Sequence, residues 1–297
     1  MSEAVTVRAP AKLNLYLHVT GRRPDGYHTL ESLIAFVGLA DTVTAAAAPA
    51  GDFSLTVGGP FAGVLSGVAA GDNLVLRAAR ALARAAGVEA GAALHLDKHI
   101  PVAAGLGGGS ADAAAALLAL SALWGVPSDL PLADLALALG ADVPVCLAAR
   151  PSFVSGIGEG LRPVAPLPDA GVLLVNPRVA VETAATFAAF DAAGAPSLPP
   201  GAPVGPFASA AALAQALAGC ANDLTAAARG GAPVIAAVLD AIAGLPGCRL
   251  ARMAGSGATC FGLFDDAVAA ARAGQRLSAT QTGWWTWAGS FASRAEN

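Results

Sequence analysis

A glycine-rich segment in the first half of the chain has the composition of a phosphate-binding loop. An alternating, strand-like run leads into it, and an alanine-rich, helix-like run that begins at Ser110 follows it. Its glycines are Gly105, Gly107, Gly108 and Gly109. Glycine permits positive φ and close backbone approach, and the unpaired N–H groups and dipole of a helix start attract anions. The segment therefore predicts phosphate binding, with a flexible turn capped by Ser110 as the alternative.

Two other nucleotide-binding loops fit this segment poorly. A P-loop needs Gly-x4-Gly-Lys followed by Ser or Thr, and no lysine follows these glycines. The dinucleotide fingerprint fits from Gly105 to Gly107, but Ser110 stands where its third glycine or alanine belongs. The acid expected about twenty residues further on would be Asp129, which follows a turn and ends no strand. An NAD-dependent oxidoreductase is therefore disfavoured.

Length and composition narrow the class of protein. The 297 residues are enough for two domains, and 55% of them are hydrophobic, many of these being alanine. Apolar runs such as 113–120 are much shorter than the ~18 residues of a membrane span. Charged residues at positions 3, 8 and 12 interrupt any signal peptide, so a cytoplasmic protein without a membrane partner is expected. A net charge of −4 disfavours nucleic-acid binding.

The cysteines and histidines indicate neither a disulfide framework nor a metal site. The four cysteines lie far apart in the sequence, and reduced thiols are expected. His95 and His99 lie on a strand and its exit, with no acidic or cysteine cluster beside them. No protein metal site is predicted from these residues.

The elements that must position the glycine loop alternate between strands and helices. Runs at 4–8 and 13–19 predict two short strands, which places Lys12 at a strand entry. Helices are predicted at 73–86, 110–124 and 132–139. These helices and strands predict an α+β fold, in which each half forms its own layered sandwich.

An acid and a possible division of the chain follow these elements. Asp142 stands just before a Val-Pro pair, whose proline holds the preceding residue extended and fixes the acid at a bend. Capping of the following helix is an equally good role for Asp142 from this segment alone. A loop-rich stretch at 156–168 marks a domain boundary, with domains expected at 1–160 and 161–297.

Three motifs taken together resemble those of the GHMP small-molecule kinase superfamily. They are Ala9-Pro-Ala-Lys-Leu-Asn-Leu15, Pro101-x3-Gly-Leu-Gly-Gly-Gly-Ser110 and Gly255-Ser-Gly-Ala-Thr-Cys-Phe261. Two more segments, Arg23-Pro-Asp-Gly-Tyr-His28 and Leu139-Gly-Ala-Asp-Val-Pro144, resemble the branch that acts on cytidine-diphospho-methylerythritol. The set covers most of the chain.

The resemblance implies a fold and a reaction. It implies a two-domain α+β fold, with an N-terminal domain like ribosomal protein S5 domain 2, a ferredoxin-like C-terminal domain and an active site between them. It also implies that ATP, with Mg²⁺ bridging its phosphates, phosphorylates the 2-hydroxyl of the methylerythritol moiety. A monomer or weak homodimer is expected.

The resemblance also implies roles for individual residues. Asp142 corresponds to the catalytic aspartate that accepts the hydroxyl proton, and Lys12 to the lysine whose ammonium keeps that carboxylate ionised. Nucleotide-binding positions are Asn73, Lys98, Pro101, Gly105, Leu106, Gly107, Gly108, Gly109 and Ser110. Substrate-binding positions are Asn14, Tyr27, His28, Thr183, Phe187, Gly255, Ser256 and Gly257. Tyr27 and Phe187 would sandwich the cytosine while His28 bonds its edge; simple packing of both aromatic rings is the alternative.

The sequence departs from the family pattern at two positions. Ala111 replaces a second serine after the glycines, which removes one hydroxyl from the loop. Asp112 is then expected to cap the first helical turn, with a role in holding Mg²⁺ as the alternative. Ala254 stands where relatives often have serine, which removes one possible hydrogen bond near the substrate.

Two other functions share this fold. A GHMP kinase acting on mevalonate-type or homoserine-type alcohols is disfavoured, because such substrates carry no base for Tyr27 and Phe187 to stack on. A non-catalytic nucleotide-binding protein is disfavoured because binding alone does not require both Lys12 and Asp142.

Overall fold

The computed structural model describes residues 3–67, 71, 73–194, 203 and 205–292. Their strands are β1 Val5–Arg22, β2 His28–Ala48, β3 Phe53–Gly58, β4 Gly91–Asp97, β5 Ser152–Gly156, β6 Gly160–Pro163, β7 Gly171–Asn176, β8 Leu250–Met253, β9 Cys260–Phe264 and β10 Trp285–Ser290. Their helices are α1 Ala62–Leu65, α2 Leu74–Ala86, α3 Gly108–Trp124, α4 Leu132–Leu139, α5 Val143–Ala148, α6 Thr183–Ala193, α7 Ala210–Leu217, α8 Thr225–Gly231, α9 Val234–Ala243 and α10 Ala267–Thr280. No helix in these ranges is both long and apolar enough to cross a membrane.

The first sheet carries the glycine loop and its helix. Its strand order is β3-β4-β2-β5-β6, and β1 pairs with β2. The β3–β4 pair is parallel, whereas β2 is antiparallel to β1, β4 and β5. Helices α2 and α3 pack on this sheet through a core that contains Val43, Leu94, Leu82 and Leu117. The helix that follows the glycine loop is therefore held along its length by a hydrophobic core.

The two predicted strands at 4–8 and 13–19 form a single strand, β1, which spans 18 residues. The prediction of a break at Ala9-Pro10-Ala11-Lys12 was wrong. Register shifts against β2 occur between Pro10 and Lys12 and again between Asn14 and Tyr16. A bulge lets a strand carry a proline without losing its pairing on either side, and it re-aims the neighbouring side chains. Lys12 and Asn14 lie between these two irregularities.

The second sheet has the strand order β10-β7-β9-β8 and is antiparallel throughout. Between β7 and β8 the chain forms α6 to α9, and between β9 and β10 it forms α10. This β-α-β-β-α-β succession, with the fourth strand beside the first, is the expected ferredoxin-like arrangement.

Both faces of the second sheet are buried, and they face different layers. Val172 and Leu174 of β7 pack in a core with Leu13 and Leu15 of β1. Their neighbour Leu173 packs on the other face against α9 and α10, in a core that includes Ile235. Because side chains alternate along a strand, one strand joins the first sheet on one side and a helical layer on the other.

The chain passes from the first sheet to the second between β6 and β7. Strand β6 still pairs with β5 in the first sheet and ends at Pro163, while β7 begins the second sheet at Gly171. We propose that the domains divide within 164–170 rather than after residue 160. After β10 the chain returns to the first sheet, where Phe291 forms an isolated β-bridge with Val37 of β2.

Candidate active site

A cavity of about 430 Å³ lies between the glycine loop, the middle of β1 and the second glycine turn before β9. Fifteen of the predicted site residues line it: Lys12, Asn14, Asn73, Lys98, Pro101, Gly105, Gly107, Gly108, Gly109, Ser110, Asp142, Thr183, Phe187, Gly255 and Ser256. Leu106, Tyr27, His28 and Gly257 are not among the residues that line this cavity. Residues far apart in the sequence thus meet around one space.

The glycine loop ends in the first turn of α3. Gly107, with φ of 64°, occupies the N-cap position, and no side chain caps the helix. Ser110 is therefore inside the first turn and is not the cap that the alternative interpretation required. In a helix that begins at Gly108, the first N–H groups have no partner within the helix. They are available to an anion in the cavity.

Two of the glycines are required by close packing. A Cβ atom at Gly105 would lie 2.6 Å from the carbonyl oxygen of Ala254, so this glycine lets the two glycine turns touch. A Cβ atom at Gly107 would lie 2.5 Å from Cγ of Lys12, and the Lys12 N–H donates to the Leu106 carbonyl at 3.0 Å. The loop therefore packs directly on Lys12.

Lys12 and Asp142 form an ion pair at the edge of the cavity. Lys12 Nζ lies 3.1 Å from Asp142 Oδ2; the lysine side chain is 6% exposed and the aspartate side chain 43%. Asp142 precedes α5 but makes no capping hydrogen bond, so its carboxylate serves the ion pair and not the helix. One half-exposed carboxylate is thus held by a buried ammonium and remains open to the cavity.

A chain of hydrogen bonds orients Lys12. Lys12 Nζ donates to Asn14 Oδ1 at 2.8 Å, and Asn14 Nδ2 donates to Ser32 Oγ at 2.8 Å. The Ser32 hydroxyl then donates to the carbonyl of Tyr16. Because each member is buried and satisfied, the ammonium has a fixed position toward Asp142.

A second buried lysine, Lys98, lies between two carboxylates. Lys98 Nζ donates to Asp112 Oδ2 at 2.6 Å and to Asp41 Oδ2, whose other oxygen accepts from the N–H groups of His99 and Ile100. Burial lowers the pKa of Lys98, but Asp112 and Asp41 outweigh burial and leave it raised. The predicted nucleotide-binding lysine is thus already paired with carboxylates on the cavity wall.

Asp112 was expected to cap the first turn of α3, and this expectation was wrong. Its Oδ2 bonds to Lys98, and its buried Oδ1 has no hydrogen-bond partner among the described residues. Burial, with the nearby Asp41 carboxylate, raises the pKa of Asp112 well above its usual range, although Lys98 opposes this. An unsatisfied buried oxygen of this kind is rare in proteins and therefore calls for an explanation. Asp41, 57 residues from Lys98, carries no sequence signal beyond being an acid in an apolar strand.

The aromatic residues meet differently from the predicted sandwich. The His28 ring stacks on Phe187, with ring centroids 4.6 Å apart, whereas Tyr27 is 60% exposed. His28 Nε2 also lies 2.6 Å from Asp191 Oδ1, and this hydrogen bond holds the pKa of Asp191 below its usual value. Sequence reasoning missed Asp191; its position one helical turn after Phe187 was the available signal.

The second glycine turn closes the opposite side of the cavity. Ser256 Oγ and Thr183 Oγ1 are hydrogen-bonded at 2.9 Å. Asn222, which the sequence gave no reason to select, donates to the carbonyls of Met253 and Gly255 at 2.8 Å each. The turn is therefore held from behind by an amide that does not line the cavity.

Comparison with known proteins identifies the family of the chain. The family descriptions GHMP kinases N terminal domain and GHMP kinases C terminal match residues 73–150 and 207–281. A 4-diphosphocytidyl-2-C-methyl-D-erythritol kinase of Paramagnetospirillum magneticum is 50% identical over 285 residues, which cover 94% of this chain and 96% of the relative. The kinase of that name from Rhodospirillum rubrum is 51% identical over 96% of this chain and 91% of its own.

A solved structure extends the similarity to three dimensions. The crystal structure of a 4-(cytidine 5'-diphospho)-2C-methyl-D-erythritol kinase matches with a TM-score of 0.78 and 37% identity, over 97% of this chain and 99% of that chain. The similarity confirms the α+β, two-domain fold and the resemblance drawn from the motifs. Because identity near 50% extends over almost the whole chain, this protein belongs to the GHMP kinases, within the family of the 4-diphosphocytidyl-2-C-methyl-D-erythritol kinases.

Proposed function

We propose that this protein transfers the γ-phosphoryl group of ATP to the 2-hydroxyl of 4-diphosphocytidyl-2-C-methyl-D-erythritol, giving the 2-phosphate and ADP. The reaction belongs to the non-mevalonate, methylerythritol phosphate route to isoprenoid precursors. The observation that carries the proposal is the ion pair of Lys12 and Asp142, at 3.1 Å, beside a glycine loop that opens a helix.

Asp142 is the proposed base of this reaction. Its carboxylate accepts the proton of the 2-hydroxyl as the hydroxyl oxygen attacks the γ-phosphorus, and the bond from phosphorus to the ADP oxygen breaks. The Lys12 ammonium offsets the negative charge that develops on the transferring group. Binding both reactants in line contributes on the order of 7 to 11 kcal/mol, so few side chains need act chemically.

The two ends of the cavity have different proposed ligands. The N-terminal turn of α3 offers backbone N–H groups to the phosphates of ATP, with Asn73, Pro101 and Ser110 beside them. On the substrate side, Phe187 lines the cavity, and the His28 ring stacks on it. We propose that Tyr27, on the exposed loop between β1 and β2, closes over the cytosine from the other side.

The residues near the glycine loop fit a magnesium ion. Mg²⁺ takes oxygen ligands and is usually bound through one or two carboxylates together with substrate phosphates. Asp112 supplies an unpartnered carboxylate oxygen on the cavity wall, and the Ser110 hydroxyl lies in the same helical turn. We propose that these two side chains hold Mg²⁺ together with the phosphates of ATP. When bound, the ion would partly neutralise the charge of those phosphates.

The remaining proposals concern the location, the oligomeric state and the partners of the protein. We propose that the protein acts in the cytoplasm as a monomer or weak homodimer, without a nucleic-acid or membrane partner. The net charge of −4 supports the absence of nucleic acid.

The experiment that tests the function is ADP release with Mg²⁺-ATP and 4-diphosphocytidyl-2-C-methyl-D-erythritol. ADP is expected to form in step with the 2-phosphate, and EDTA is expected to stop both. Mevalonate and homoserine in place of the cytidine substrate serve as controls and are expected to give none. Absence of substrate-dependent ADP, or faster turnover of a control alcohol, overturns the proposal.

A further inference from the structure

A second groove, formed by α2 and α4, shares no lining residue with the candidate active site. Its volume is about 650 Å³. Three arginines of α2 line it, Arg77, Arg80 and Arg84. No part of the proposed phosphoryl transfer uses them.

The spacing of the arginines places them together. Residues three and seven positions apart on a helix lie within an arc of about 60°, because each residue turns the helix by about 100°. The first and last arginine are separated by about 10 Å along the axis, at about 1.5 Å per residue. The opposite side of α2 is buried, with Val75 and Leu82 in the core. The arginines therefore form one row of positive charge along the open side of the helix.

The charge of this row is not neutralised within the described part of the chain. The side chains of Arg77, Arg80 and Arg84 have no hydrogen-bond or ion-pair partner among the described residues. Other arginines do have partners: Arg23 pairs with Asp25, and Arg249 makes two hydrogen bonds to Asp265. A concentration of unpaired guanidinium groups stands out in a chain whose net charge is −4.

The rest of the groove wall is aliphatic. Alanines on α2, an alanine and two leucines on α4, and one glycine before α2 complete the lining: Gly71, Ala81, Ala85, Leu135, Ala138 and Leu139. Among the described residues that line the groove there is no carboxylate and no aromatic ring, so neither a cation nor a stacked base is favoured there. The groove combines an anion-binding edge with an apolar floor.

We propose that the groove between α2 and α4 binds a diphosphate ester with a short aliphatic chain. Arginine forms paired, charge-assisted hydrogen bonds with phosphate oxygens. Two linked phosphates span successive turns of the arginine row better than one phosphate does, and the alkyl chain lies on the alanine and leucine side chains. The site is separate from the proposed kinase reaction and does not depend on it.

The test is direct binding, measured by isothermal titration calorimetry with n-hexyl diphosphate as the probe. Saturating ADP is present to compete for the first cavity. The expected result is one site on the intact protein, with weaker binding of inorganic pyrophosphate, which lacks the alkyl chain. No binding of n-hexyl diphosphate, or equal binding of pyrophosphate, overturns the proposal.

Matched variants locate the site. Arg80→Ser is expected to weaken the binding of n-hexyl diphosphate at least about tenfold, because the variant loses a charge-assisted hydrogen bond to the probe. Arg272→Ser, at an exposed arginine on α10, is the control and is expected to bind like the parent protein. Ala138→Asp puts a negative charge at the groove and is expected to weaken binding, whereas Ala133→Asp, on the same helix, is not. If Arg80→Ser and Ala138→Asp, each with unchanged circular dichroism, bind normally, the probe lies elsewhere and the proposal fails.

Discussion

At the level of single residues, the position of Lys12 decides what Asp142 can do. The ammonium is almost fully buried, and Asn14 and the loop glycine Gly107 fix it from two sides. The Asp142 carboxylate is half-exposed and has no partner other than Lys12 among the described residues. A carboxylate held by one buried cation, and otherwise facing the cavity, is suited to accept a proton from a bound alcohol.

Replacement of the proposed base tests that role. Asp142→Asn is expected to lower kcat by about 10²- to 10⁴-fold, because an amide cannot accept the hydroxyl proton. Binding of ADP, measured by calorimetry, is expected to persist. Asp134→Asn, at an exposed acid of α4, is the matched control and is expected to retain activity. Turnover near that of the parent protein in Asp142→Asn would show that another group is the base.

Recognition of the cytosine base makes a different prediction. Phe187→Ala and Tyr27→Ala are each expected to raise the KM for the cytidine substrate about tenfold, because stacking on a base contributes about 1–3 kcal/mol. The KM for ATP in the same variants is the internal control and should change little. An unchanged KM for the cytidine substrate in Tyr27→Ala would mean that this exposed ring does not close on the base. An unchanged KM for the cytidine substrate in Phe187→Ala would mean that the Phe187 ring only packs against His28.

The residues that sequence reasoning misplaced are those whose partners lie far away in the chain. Asp112 would lie in the first turn of the helix predicted to begin at Ser110, and a cap needs only local geometry, but α3 begins at Gly108 and has no acid in its first turn. Its actual partner, Lys98, is itself held by Asp41 from another strand. Residues named by motifs, such as Lys12, were found because the motif supplies the long-range information that local patterns lack.

At the level of elements, helix α3 has a left-handed glycine at each end, and the two glycines serve different purposes. Gly107 at the start has φ of 64°, and Gly125 at the end has φ of 63°. A Cβ at Gly107 would meet Lys12, while a Cβ at Gly125 would have nothing within 4 Å. The start of the helix is therefore constrained by the site, whereas its end is constrained by backbone conformation alone.

This pair gives a matched test of the glycine loop. Both Gly107→Ala and Gly125→Ala are expected to lower the free energy of unfolding by about 1–2 kcal/mol, the cost of a left-handed alanine. Only Gly107→Ala is expected to reduce kcat strongly, because its methyl group displaces Lys12. Urea unfolding and ADP release on the same samples separate the two effects. Equal activity in both variants would show that the loop does not position the lysine.

The helices could be predicted from the sequence better than the longest strands. The leucine and alanine spacing of 73–86 correctly predicted α2, whose N-cap in the structure is Asn73. Pro10 led to a predicted break because a proline within a strand removes one hydrogen bond. The break was wrong since a bulge at Pro10 preserves the pairing with β2 on both sides. Tertiary structure, and not local sequence, decides whether the neighbouring strand can keep its pairing on both sides of a bulge.

At the level of the whole molecule, a buried arginine ties the second sheet to the first domain. Arg252 of β8 donates to the carbonyls of Leu15, Leu217 and Cys220 at 2.6, 3.0 and 2.7 Å. The residue is 8% exposed, and no carboxylate pairs with it among the described residues. Burial lowers the pKa of Arg252. One guanidinium group therefore joins a carbonyl of β1 to two carbonyls at the end of α7.

Removal of that group is expected to weaken the whole fold. Arg252→Met keeps the length and apolar volume of the side chain but removes three hydrogen bonds to buried carbonyls, at an expected cost of about 3 kcal/mol. The free energy of unfolding in urea measures it. Arg249→Met breaks only an exposed pair with Asp265 and is expected to leave the unfolding midpoint nearly unchanged. If Arg252→Met unfolded at the same urea concentration as Arg249→Met, water would replace the guanidinium group at no cost. The packing of β7 against β1 would then join the two sheets without help from Arg252.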